Sequence, residues 1–143
     1  MTRKSTITDV RPAGAEHQVV TVVSKGPKGK RCYRRTPCAD CPWRVDAVGV
    51  FPAEAFSHSA STAYDMAENT FACHSSGTKR PATCAGFLLR GAGHNLSVRL
   101  AYIQGQIQDD LDDEGLELFD SYREMAIANG VDPGDSVLAK CRD

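Results

Sequence analysis

The residues with the most chemistry in this chain are its cysteines. Cys38 and Cys41 form a C-x2-C pair, and Cys73 and Cys84 follow at a distance. A two-residue gap lets two thiolates converge on one ion, and two remote ligands complete a tetrahedron, so these four are the expected metal ligands. The second pair is separated by ten residues, which departs from zinc-finger spacing. His74, adjacent to Cys73, is the contending ligand, because imidazole binds zinc well and a Cys-His dipeptide can direct one side chain inward. Zinc is the first expectation, and a four-cysteine iron–sulfur cluster of the 4Fe-4S kind is the alternative, since Pro42 directly follows Cys41. Cys32 and Cys141 are left as spares, His94 is a weaker candidate than His74, and His17 and His58 read as ordinary histidines.

Enzyme chemistry is the weaker reading of the same residues, and no catalytic residue is assigned. Adjacent Cys and His on an extended chain point apart, and no carboxylate is placed to orient the ring. A thioredoxin-like pair needs a βαβ setting that this chain lacks. Pro37-Cys38-x-x-Cys41 matches half of the deaminase signature, but no H-x-E occurs anywhere. Trp43, the only tryptophan, is expected to shield the cysteines from water; the alternative is a stacking platform for a base.

Charge divides the chain. Residues 1–44 carry ten Lys and Arg against three Asp and Glu, while residues 109–124 carry eight Asp and Glu against one Arg, so the formal net charge of −1 is a cancellation. Lys28, Lys30, Arg31, Arg34, Arg35 and Arg44, within residues 25–44, are the expected contacts to nucleic acid. Residues 109–124 are the expected face for a basic host protein, unless the two poles meet each other across the fold.

The elements that must position these residues follow from pattern. Residues 1–16 show no apolar periodicity and are expected to be a flexible arm, with a single metal-binding domain over 17–143. Val19 to Val23 and Lys30 to Arg34, joined by Gly-Pro turn chemistry, predict a β-hairpin. Phe51-Pro52 opens a helix running to about residue 60, a second helical stretch is possible over Tyr64 to Glu68, and Cys84 to Arg90 reads as a short helix. Asn95 caps another helix through Ile103. One longer C-terminal helix is expected to start at Asp112-Asp113-Glu114 and to carry Leu116, Phe119, Tyr122, Met125 and Ala126 on one stripe before Asn129-Gly130 stops it. The sum is an α+β fold, a small metal-centred domain with an N-terminal hairpin and several short helices. Its 143 residues suffice for one domain with a core. No apolar run approaches the roughly 20 residues of a membrane span, so no membrane partner is expected. No secretory signal is visible, and the expected location is cytoplasmic. Cysteines in a reducing cytosol read as ligands rather than disulfides.

Pro37-Cys38-x-x-Cys41-Pro42-Trp43-Arg44, Phe51-Pro52, Phe71-x-Cys73-His74 and Cys84-Ala85-Gly86-Phe87, with Asn95 and Arg99, resemble a family of small actinobacterial and phage proteins of unknown function. The likeness covers roughly residues 36–103. It implies a phage or mobile-element origin and marks Cys38, Cys41, Cys73, His74 and Cys84 as family positions. It implies no activity. A regulatory or accessory binding protein with a structural zinc is the function expected from the residues, with an iron–sulfur redox or sensor protein as the alternative.

Overall fold

A computed structural model describes residues 4–13, 17–25, 33–73 and 82–142. The backbone of β1 (Lys4–Ala13) pairs antiparallel with β2 (His17–Lys25), from Lys4 opposite Lys25 to Ala13 opposite His17, with one irregularity between Ile7 and Asp9. β2 pairs in turn with β3 (Thr70–Phe71). The stretch expected as an arm therefore contains a strand. Its Thr6, Ile7, Thr8 and Val10 are β-branched and favour extended backbone even without a clean apolar alternation. The partner expected for β2 was Lys30 to Arg34. Lys30, Arg31 and Cys32 lie outside the described residues, and Tyr33 bridges to Thr83 instead.

Beyond the strands the domain is built from short helices and many turns. In α1 (Ala53–Ser59), Pro52 occupies the N-cap in extended backbone and Glu54 lies in the first turn, where a carboxylate suits the positive helix end. A 3-10 turn continues to Ala63. The expected helical stretch over 64–68 does not form: Met66 has φ of 62°, a left-handed conformation that a helix cannot contain. α2 (Leu96–Ile103) starts where Asn95 accepts a hydrogen bond from the Val98 amide at 3.1 Å. The Asn95 amide also donates to the Thr62 and Asn69 carbonyls, so the cap ties three segments together.

The C-terminal helix is shorter than its stripe suggests. α3 (Tyr122–Ala128) begins only after Ser121, whose hydroxyl accepts from the Glu124 amide. Glu114 and Gly115 have φ of 55° and 74°. Asp112 and Asp113 each accept from the amide two residues on, both at 2.9 Å, closing turns that compete with helix. The next residues bond to another segment: the Val45 amide donates to Glu117 O, and the Phe119 amide to Trp43 O. Tertiary backbone pairing thus overrides the helical period. α3 ends as expected, at Asn129 and a left-handed Gly130. α4 (Ser136–Ala139) is a single turn, capped by Asp135.

The core has Trp43 at its centre. Phe71, Phe87 and Tyr122 surround it at ring-centroid distances of 6.0, 6.4 and 5.9 Å, and Phe71 stacks on Phe87. Edge and tilted contacts of this kind add about 0.5–1.5 kcal/mol each beyond burial. The Tyr122 hydroxyl donates to Phe56 O and lies 2.6 Å from Ser59 Oγ, which fastens α3 to α1.

Candidate metal centre

Three chain segments deliver the sulfurs. Pro37 to Val48 runs as successive tight turns, with Cys41 N donating to Cys38 O, Arg44 N to Cys41 O and Ala47 N to Arg44 O, all at 3.0–3.1 Å. Phe71 to Cys73 runs beside Ala82 to Cys84: the Cys73 amide donates to Ala82 O at 2.6 Å and the Cys84 amide to Phe71 O at 2.8 Å. A helical stretch then departs from Cys84 and widens into a π-turn at Phe87–Gly91.

The result is a sulfur pair from residues 43 positions apart: Cys41 Sγ and Cys84 Sγ lie 3.6 Å from each other, both buried. One zinc ion with Zn–S bonds of about 2.3 Å holds neighbouring sulfurs about 3.8 Å apart at the corners of a tetrahedron, so this spacing fits shared ligation. A 4Fe-4S cluster seats its thiolates on separate irons and draws them less closely together. Cys38 is also at hand, as a hydrogen-bond partner of the Cys41 sulfur.

The bond with Cys38 pulls the Cys41 thiol down. The bond to Cys84, burial and the charge of Cys84 more than offset it, and Cys41 is pushed up to about 12. Without an ion Cys41 is therefore a neutral thiol, and ligation must displace its proton.

Trp43 closes one side of the pair. A Cβ placed on Gly86 would lie 2.5 Å from Trp43 Cβ and 3.0 Å from Cys41 Sγ, and one on Gly91 would lie 2.2 Å from Trp43 Cη2. Only glycine lets the backbone of Gly86 to Gly91 pass this close to the indole. Trp43 is 0% exposed, so it packs against the site rather than offering a stacking face.

The structure brings the sulfurs of Cys41 and Cys84 together, with Cys38 as a hydrogen-bond partner of Cys41. Cys73 is buried on the segment paired with the one that carries Cys84, and His74 lies outside the described residues. Among the described residues no group of three or more His, Cys, Asp or Glu is set out to hold a metal ion. Cys141 is buried elsewhere, its Sγ 3.8 Å from the Ala60 and Val137 carbonyls.

The expected phosphate contacts are distributed differently. Lys28, Lys30 and Arg31 lie outside the described residues, and Arg34 is exposed. Arg35 pairs with Asp110 at 2.7 Å while its guanidinium lies 4.6 Å from the centre of the Tyr33 ring. Arg44 grips Asp46 with two nitrogens, at 2.8 and 2.6 Å, and a third reaches Cys38 O at 3.4 Å. Asp110 is held below the usual carboxylate range, first by the Tyr33 hydroxyl and then by Arg35. Arg90 and Asp113 approach to 3.9 Å. The basic and acidic poles thus meet at Arg35 and Asp110. Composition gave no warning of Gly86, Gly91, Tyr122 or Asp110 as parts of this frame; the Gly within Cys84-Ala85-Gly86-Phe87 was the one available signal.

No helix among the described residues is long and apolar enough to cross a membrane. No curated protein and no solved structure matches the chain. A family model, described as a family of unknown function (DUF6283), matches residues 33–142, the span that contains every cysteine of the pair and its frame, and the chain belongs to that family.

Proposed function

We propose that this domain is a binding module organised by a structural, cysteine-ligated metal ion, with zinc as the metal. Cys38, Cys41 and Cys84 supply three thiolates, and Cys73 or His74 the fourth ligand. The observation that carries this reading is the 3.6 Å separation of two buried sulfurs brought from distant parts of the sequence. A fully ligated site of this kind has no open position for a reacting water, and its binding energy is folding energy. The surface that serves recognition is the acidic segment 109–124, suited to a basic protein. Nucleic acid is less well supported, because Arg35 and Arg44 already have carboxylate partners.

Elemental analysis of purified protein with its absorption spectrum tests the metal. Colourless protein carrying one zinc per chain is expected. Brown protein with iron and inorganic sulfide would replace zinc with a cluster, and metal-free folded protein would remove the centre altogether.

A further inference from the structure

We propose that Cys41 and Cys84 form a reversible dithiol–disulfide pair, so that oxidation closes a bond between these two sulfurs and opens the site. Their Sγ atoms are 3.6 Å apart, and a disulfide requires about 2.05 Å. The closure therefore needs a movement of roughly 1.5 Å shared between two side chains. The two sulfurs also come from different segments. The bond would join the turn at Cys38–Cys41 to the start of the helical stretch at Cys84, closing a loop through 42 intervening positions.

The oxidant is a hydroperoxide. Two thiols and one hydrogen peroxide give one disulfide and two waters: each sulfur loses one electron, the O–O bond breaks, and the thiol protons leave in the waters. With an ion bound, the sulfurs are thiolates, the two protons come from solvent and the ion departs. That departure rests on the metal reading above; the pairing of the two sulfurs does not. Burial slows the reaction, and Cys38 is the most exposed of the three residues at 8%. A competing Cys38–Cys41 bond is the natural rival.

Trp43 offers an internal reporter. It is the single tryptophan, and its Cβ and Cγ pack on Gly86 beside Cys41 Sγ. Disulfides quench excited indoles at contact. The experiment treats full-length wild-type protein with hydrogen peroxide, maps disulfides by mass spectrometry of unreduced peptides, and follows tryptophan emission and metal release to a chromogenic chelator. The expected result is a Cys41–Cys84 linkage with loss of two thiols per chain. Emission falls several-fold, and dithiothreitol reverses both changes. Cys38→Ser, which keeps the pair, should still form the linkage. A Cys38–Cys41 linkage, conversion to sulfinic acids, or thiols that survive peroxide would overturn the proposal. Protein that carries no metal but forms the Cys41–Cys84 bond supports the pair while rejecting the metal centre, so the two readings fail separately.

Discussion

Cys84 and Cys141 are both buried thiols, and the atoms beside their sulfurs differ. The Cys84 sulfur faces another sulfur, Cys41 Sγ, at 3.6 Å, whereas the Cys141 sulfur faces the carbonyls of Ala60 and Val137 at 3.8 Å. Carbonyl oxygens accept a weak bond from a thiol, whereas a second sulfur can share an ion with it or form a disulfide. Burial alone therefore does not identify a functional cysteine; the neighbouring atom does. Cys141 instead fastens the C-terminus, where Arg142 N donates to Ala63 O and Tyr64 bridges to Cys141.

Replacing one sulfur at each place tests that difference most strongly. Cys84→Ser is expected to abolish metal binding, and since structural zinc contributes on the order of 10 kcal/mol of apparent binding energy, the domain should lose its cooperative unfolding transition. Metal content by elemental analysis and thermal melts read both effects. A Cys84→Ser protein that keeps full metal content would erase the distinction between the two sulfurs.

Trp43→Ala comes next. Removing the indole from the centre of the ring cluster should cost about 3–5 kcal/mol, measured by chemical denaturation. The Gly91→Ala substitution is the smaller counterpart, about 1–3 kcal/mol, because its methyl would collide with the buried indole. Equal stability of Gly91→Ala and wild type would mean that the π-turn does not press on Trp43.

Cys141→Ala should cost only about 1 kcal/mol and leave metal content unchanged. Loss of metal in this variant would place Cys141 in the site and contradict the contrast.

The smallest effect belongs to Asp110→Asn, at the meeting of the two charge poles. Its carboxyl is held low by Tyr33 and Arg35, so the folded state favours the ionised form. That contribution is present above the ordinary carboxylate pKa of about 4 and is lost as pH falls through the lowered folded value. Denaturation midpoints of wild type and Asp110→Asn should differ at neutral pH and converge under acid. A constant difference would show that Asp110 acts without its charge.

The C-x2-C spacing, the Pro52 and Asn95 helix starts and the Asn129-Gly130 stop were legible in the sequence, because each depends on contacts within a few residues. What the sequence did not disclose depends on partners far away. The apolar stripe from Leu116 to Met125 has helical spacing, but Leu118 and Phe119 pair with the backbone of Arg44 and Trp43, so only its second half is helix. Arg35 reads as a free cation until Asp110, distant in sequence, is placed beside it. The strand at Lys4–Ala13 lacks the apolar alternation that would have marked it, and β2 pairs with it and with β3. Cys41 and Cys84 were chosen for their type; their contact could come only from the fold.

Titration of metal-free protein with cobalt(II) tests the centre most directly, because the spectrum reports both geometry and sulfur ligation. Intense bands in the red, typical of tetrahedral cobalt, with thiolate charge-transfer absorption in the near ultraviolet saturating at one cobalt per chain, are the result expected of a fold that seats two sulfurs 3.6 Å apart. Weak octahedral absorption without charge transfer, unchanged in the Cys84→Ser variant, would contradict a cysteine-ligated metal in this domain.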